Sequence, residues 1–332
     1  MIITNNTTHI QKVSHLLEGR NVLQQELDYA NIPIDGNDSK LFIDPILIYG
    51  DQQRNEFAAR CWIVLEDYCR TIFTEIQEGT FNKNSHTLKH LGEKNMFHIG
   101  HSKYAPDKRS QGKGCSSNML YKVFERIGFD KLSEMVNRQM ILQPMDIYLY
   151  VKGFGEDRMS DLITNVLFQE LTQYTEDIFL IAGQNTFIKT QQATGWGWDP
   201  KTHSWEQFTY NALLDFDKNP LGLLPKRFLT DKYRYNPQRF FQGAILEHLQ
   251  QEHLLKNPQK KKPTKKYLKS EISKTIEGNF SKKDYIITYT MQHPRLVELF
   301  RQSNCNGALG SNYEGYLSDN KLTEIINASY IQ

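Results

Sequence analysis

The sequence predicts an α/β protein, with a mostly parallel or mixed sheet and flanking helices, followed by a smaller C-terminal helical or mixed region; α+β is the alternative. Two observations carry this. Short apolar runs of strand length alternate with segments of helical periodicity along most of the chain. The 332 residues are 39% hydrophobic and 12% aromatic, enough for a real core in one large or two modest domains.

The elements follow in order. Residues 1–40 read as a helical lead-in to an α/β core over 41–255. LFIDPILIY (41–49) reads as a strand broken at Asp44-Pro45, because proline cannot donate to a ladder. Residues 53–77 form an amphipathic helix, with Phe57, Cys61, Leu65, Tyr68, Ile72 and Ile76 on one face. Helices are expected over 117–127 and 130–141, a glycine-ended strand over 146–153 (DIYLYVKG), a helix over 157–175 and a strand over 177–183 (DIFLIAG). The three tryptophans of 194–207 belong to a hairpin-like excursion over a satellite core. LGLLPKRFL (221–229) reads as a short buried strand and 237–255 as a helix. A lysine-rich arm occupies 256–283, and 284–332 holds a strand (DYIITYT, 284–290) and a helix over 294–301.

The formal charge is only +2, yet residues 256–283 hold ten lysines against two acids, a local +8, so the remainder carries −6. Pro258 and Pro263 break any helix there. Such a run is a solvated face or a phosphate-contacting arm, in which Lys260, Lys261, Lys262, Lys265 and Lys266 would track a nucleic-acid backbone rather than read bases. No run approaches the length of a transmembrane helix, and the N-terminus lacks a charged start followed by an apolar stretch. With four scattered cysteines (Cys61, Cys69, Cys115, Cys305), a cytoplasmic protein with reduced thiols and no membrane partner is expected.

The segment YLYVKGFGEDRMSDLITN (148–165) is the richest in chemistry. Gly153 and Gly155 permit a tight turn that leaves backbone N–H groups at a helix N-terminus for phosphate. The third glycine of the dinucleotide fingerprint is absent, Arg158 standing in its place, and there is no P-loop. Asp157, Asp161 and Asn165 recur every four residues and share a helix face. They are N-cap and surface groups, or Asp157 and Asp161 hold Mg²⁺ or Mn²⁺, hard cations that prefer carboxylates. Arg158 would then grip a phosphate. Asp44, Lys152 and Lys226 end strand-like runs, so in a parallel sheet all would converge with Asp157 and Asp161 on one crevice. Asp44 would be a third metal ligand; Lys152 or Lys226 would stabilise charge on a transferring phosphate. The acid-x-lysine strand of a PD-(D/E)xK nuclease is missing.

A second cluster lies at 86–118. His86, His90, His98 and His101 have spacings compatible with zinc, to which Cys115 could add a thiolate. Lys103 and Lys113, with Lys108 and Arg109, make a basic glycine-containing loop suited to phosphate oxygens. His101-x-Lys103, Asp107 and Gly114-Cys115-Ser116-Ser117-Asn118 resemble the phospholipase D signature, in which the histidine is the nucleophile and the lysine holds phosphate. Here the aspartate arrives one residue early and Pro106 interrupts the stretch.

Taken together, LFIDPILI, the Gly/Ser/Lys-rich loop, KGFGEDRMSDLITN and LLPKRFL are similar to a poorly characterised family of bacterial proteins from mobile-element and phage-defence neighbourhoods. The resemblance spans residues 41–255, with Asp44, Gly153, Gly155, Asp157, Arg158, Asp161, Asn165 and Lys226 at matching positions; it implies no established activity, but by association it raises the expectation of a nucleic-acid-directed effector and of a partner protein in a defence system. The expected function is therefore metal-dependent hydrolysis of phosphodiester or nucleotide phosphate bonds. The alternative is a non-enzymatic nucleic-acid-binding subunit of a defence system that uses the lysine-rich arm.

Overall fold

Asn55 caps α3 (Glu56–Gln77) by accepting from the Phe57 and Ala58 amides, and the apolar face that begins at Ala58 runs to Ile76. Around this helix, a computed structural model of the chain describes residues 11–34, 38–92, 94–100, 115–182, 188–275, 281–310 and 312–328. Cys61, Leu65, Tyr68 and Ile72 are fully buried, each contributing about 1.5–3 kcal/mol of hydrophobic burial at most. One continuous hydrophobic core runs from Val13 in α1 (Val13–Glu18) to Ile326 in α14 (Asp319–Ala328). The tail expected as a separate segment therefore packs into the same core as the rest.

The architecture is α+β, predominantly helical, with two small antiparallel sheets. The first pairs β1 (Phe42–Ile43) with β5 (Leu229–Thr230). The second is the hairpin β2 (Lys189–Asp199) and β3 (Ser204–Leu214), to which β4 (Pro220–Leu221) adds an edge. The hairpin expected around the tryptophans is present. Trp198 is buried against Tyr68, and its indole donates to Asp67 of α3 at 3.0 Å. Burial raises the Asp67 pKa, but hydrogen bonds from His203, Trp198 and Arg70 outweigh it and hold the carboxyl below its ordinary range.

Several runs expected as strands are helices. LFIDPILIY yields only the two residues of β1, because Asp44 then caps α2 (Pro45–Asp51) with Pro45 at the first helical position. DIYLYVKG lies largely in α6 (Pro144–Tyr150), opened by Pro144 and a capping box of Gln143 and Asp146. The expected helix at 157–175 divides at Leu167 into α7 (Glu156–Val166) and α8 (Phe168–Ala182), and α8 continues through DIFLIA, burying Phe168, Leu171, Thr175 and Phe179 on helical spacing. DYIITYT is part of α12 (Lys282–Gln292), capped by Ser281, with Ile286, Ile287 and Thr290 buried. In LGLLPKRFL, Pro225 opens a 3₁₀ turn over Lys226–Phe228 between β4 and β5. A parallel crevice lined by strand ends is thus absent among the described residues. What remains is confirmed in kind: α4 (Ser117–Glu125), α5 (Phe129–Asn137), a helix from α9 (Pro237–Phe240) through a π-helical turn (Phe241–Ile245) to α10 (Leu246–Lys256), and α13 (Arg295–Ala308).

The lysine-rich stretch is only partly loop. Residues 257–264 link α10 to α11 (Lys265–Thr275), which packs on α10 through a Lys265–Glu247 ion pair of 2.6 Å and a Gln250 bond to the Pro263 carbonyl. The C-terminal helices join the core through a buried ion pair: Arg301 of α13 reaches Asp146 of α6 at 3.0 Å. Asp146 also accepts from the Leu142 and Gln143 amides and the Tyr235 hydroxyl, so its charge is fully satisfied. No helix among the described residues is long and apolar enough to cross a membrane.

Candidate functional site

Of the acids predicted to converge, Asp44 stands where β1 ends against the first turn of α7. The β1–β5 pairing and a bond from the Asp44 amide to the Phe228 carbonyl hold residue 44 in place. The Ile43 amide donates to Ser160 of α7 at 3.0 Å, and the Tyr233 hydroxyl donates to the Ile43 carbonyl. These contacts set Asp44 beside the first turn of α7. Its Oδ1 accepts from the Ile46 amide at 2.9 Å as the cap of α2. Its Oδ2 is buried without a hydrogen-bond partner.

The neighbour that matters most to Asp44 is Glu156, the first residue of α7, which sequence reasoning passed over. Glu156 accepts from the Tyr233 amide at 3.0 Å and from the Tyr148 hydroxyl, donors that suit an ionised carboxylate. Burial, with the added repulsion of Glu156, pushes the Asp44 carboxyl up to about 7, although the Ile46 amide opposes the rise. Asp44 is thus raised by burial, while the neighbouring Glu156 receives a backbone amide and a tyrosine hydroxyl.

A half-buried lysine, Lys283, packs against Tyr148. The Lys283 ammonium donates to the carbonyls of Tyr148, Val151 and Phe154 at 2.7, 2.6 and 3.1 Å, and lies 5.0 Å from the centre of the Tyr148 ring. It closes the C-terminal end of α6, where carbonyls lack helical partners. Burial lowers its pKa to about 7. Lys283 had been counted among solvated lysines, since nothing local in the sequence separates it from the exposed run.

The remaining predicted residues are placed as follows. Gly153 adopts a left-handed φ of +72°, as the tight turn demands, and the Arg158 guanidinium turns back to its carbonyl. Gly155 precedes α7 in extended conformation. Asp157, Asp161 and Asn165 share one face of α7 as predicted, and that face meets Gly92, Gly100 and Cys115. A side chain at Gly100 would press on Asp157, Asp161 accepts from the Cys115 amide at 3.2 Å, and Asn165 brackets the Gly92 backbone. The two predicted lysines point elsewhere: Lys152 to Asp284, and Lys226 to Asp319 at 2.9 Å and the Gln24 carbonyl at 3.3 Å. Lys103, Lys113 and His101 lie outside the described residues.

The described histidines of the second cluster are spread over separate partners. His86 pairs with Glu75 at 3.0 Å, and His90 stacks on Trp196 with ring centroids 3.8 Å apart. His98 takes a left-handed φ of +46°, and its carbonyl accepts from the Ser39 amide. Cys115 is fully buried, and burial followed by the Asp161 charge raises its thiol pKa, which disfavours the thiolate a metal would need. In the basic arm, Lys260, Lys261, Lys262, Lys266 and Lys269 are exposed, and Tyr267 is 54% exposed beside them.

These features define a helix-rich α+β protein with a buried aspartate, Asp44, beside Glu156 at the head of α7. Residues 20–236 match a family model described as "Domain of unknown function (DUF8370)", and the chain belongs to that family. The matched span contains Asp44, Tyr148, Glu156 and Tyr233, and ends before α9. Comparisons with curated proteins and with solved structures returned no match.

Proposed function

We propose that the chain hydrolyses phosphodiester or nucleotide phosphate bonds with a divalent metal, its reacting centre lying between the end of β1 and the first turn of α7. The observation that carries the reading is the buried, partnerless Oδ2 of Asp44 beside the Glu156 carboxylate. An acceptor left unpaired in a low-dielectric setting is costly, and a cation shared with Glu156 would satisfy it. Two oxygen ligands of this type suit Mg²⁺ or Mn²⁺, with Asp157 and Asp161 in the same turns of α7. A bound ion of this class supplies charge neutralisation at phosphate oxygens and an acidified water. On the protein side, the Tyr148 hydroxyl and the Tyr233 amide orient Glu156, and burial raises the Asp44 carboxyl to about 7.

A second reading has its own support. The exposed lysines 260, 261, 262, 266 and 269, with Tyr267 among them, suit a nucleic-acid backbone whether or not a bond is cut. One assay separates the two. Single- and double-stranded DNA, RNA and nucleotides are incubated with wild type, Asp44→Asn and Glu156→Gln in Mg²⁺, Mn²⁺ or EDTA. Metal-dependent cleavage lost in both variants supports the hydrolase. Intact substrates in every metal, with salt-sensitive binding retained, would overturn it in favour of the binding subunit.

A further inference from the structure

We propose that His248, Glu252 and His293 form a zinc site, separate from the carboxyl centre and outside the span matched by the family. One ring nitrogen of each histidine and one carboxylate oxygen of Glu252 lie within 4.8 Å of one another, and all three residues are half-buried. His248 and Glu252 are one turn apart on α10, so helical geometry alone puts them on one face. The π-helical turn at Phe241–Ile245 runs directly into α10, and wide turns of this kind re-aim a helix face, often at functional positions. His293 ends α12, where the chain leaves helical geometry (φ −131°) and frees the ring from the helix surface.

The surroundings match those of a metal histidine. The Tyr289 hydroxyl lies 2.7 Å from His248 Nδ1. An outer partner on one nitrogen is what fixes a ligating imidazole, and it leaves Nε2 for the ion. Tyr289 sits one turn before His293, its ring 4.6 Å from the His293 ring, while the two histidine rings are 4.7 Å apart. Among the described residues the cation paired with Glu252 is Lys256, at 3.9 Å and with the lysine 74% exposed, a weak partner for a metal ion to displace. Tetrahedral zinc at about 2.0–2.1 Å from nitrogen needs ligand atoms about 3.4 Å apart, so closure takes about an ångström of side-chain rotation. Two histidines and one glutamate leave the fourth position to water, the composition of hydrolytic rather than structural zinc.

The test uses the full chain, stripped with chelator, dialysed and titrated with Co²⁺ and then Zn²⁺. The expected result is a set of intense tetrahedral d–d bands that saturates at one equivalent of Co²⁺, whatever weakly absorbing Co²⁺ the carboxyl centre takes up besides, with no thiolate charge-transfer band and displacement by Zn²⁺. His293→Ala should abolish the bands, Glu252→Gln should weaken Co²⁺ binding at least tenfold, and Asp44→Asn should leave both signals intact. Zn²⁺ should raise the melting midpoint of wild type and not of His293→Ala. Wild type that shows only octahedral, weakly absorbing Co²⁺ overturns the site, as do bands that survive in a His248→Gln/His293→Gln variant. His293→Gln lies past the end of α12 and keeps a polar side chain, so it carries the comparison if His248 variants fail to fold.

Discussion

Replacing Asp44 with asparagine should stabilise the protein above neutral pH, and the size of the effect follows from the site. The folded protein holds this carboxyl near 7 against an ordinary value of 3.8. Between those values the folded state keeps a proton that the unfolded state has released, so stability is greatest below about pH 4 and is lost as the pH rises through 7. The full difference corresponds to about 4 kcal/mol as a ceiling. Asparagine keeps the oxygen that caps Ile46 and removes the charge, but it buries an amide that must find an acceptor, which costs about 1–3 kcal/mol unless Glu156 receives it. The net expectation is a gain of about 2 kcal/mol at pH 8 and a loss of about 2 kcal/mol near pH 4, where the wild-type carboxyl is protonated in the folded state and close to its midpoint in the unfolded state. The assay is urea unfolding of both proteins across pH 4–8. Glu170 is likewise buried, with its own carboxyl raised to about 7, so both proteins retain a common downward slope and the Asp44 contribution is their difference. Parallel curves for wild type and Asp44→Asn would refute the assignment of a strained, protonatable Asp44. A variant that is more stable yet inactive is also what a functional carboxyl predicts.

Three further outcomes follow from the packing. Arg301→Met leaves Asp146 charged in the core and should cost about 3–5 kcal/mol by chemical denaturation, while Arg301→Met with Asp146→Leu should recover a large part of it. Gly50→Ala drives a methyl into the Ala308 carbonyl and the Tyr316 hydroxyl, where α2 meets α13, and should cost about 1–3 kcal/mol, read as a lowered urea midpoint at unchanged slope. Changing Lys260, Lys261, Lys262 and Lys266 to glutamine should reduce the salt dependence of DNA binding by about 0.9 in log–log slope for each lysine that contacts a phosphate; an unchanged slope would remove the arm from the interface.

How far the fold was legible depends on how local the deciding interactions are. The face of α3 and the tryptophan hairpin were readable because periodicity and turn chemistry are encoded within a few residues. The failures share one cause. IYLY, IFLI and YIITY are β-branched or aromatic runs that periodicity alone cannot separate from buried helix. The arbiter in α6 was the cap: Pro144 at the first position, with Asp146 receiving the Leu142 and Gln143 amides, mattered more than strand propensity. In α12 it was Ser281, which accepts from the Asp284 amide. Reading caps before runs would have moved both segments to helix and removed the parallel sheet on which the single-crevice expectation depended.

The site divides along the same line. The shared face of Asp157, Asp161 and Asn165 was legible because four-residue spacing is local. The burial of Asp44 was not, since it requires β5, Ser160 and Tyr233, the last 189 positions farther along the chain. Glu156 was hidden for a subtler reason: an acid in the first turn of a helix is an ordinary favourable partner of the helix dipole, and only the presence of Asp44 turns it into one half of a pair. Lys283 shows the converse. Ten lysines over 256–283 look interchangeable by composition, yet one of them is withdrawn from solvent onto three carbonyls at the end of α6. Its ammonium sits on backbone carbonyls and against the Tyr148 ring rather than facing a polyanion. The last lysine of the basic stretch thus belongs to the end of α6, and substituting it should destabilise that helix end while leaving the salt dependence of the arm unchanged.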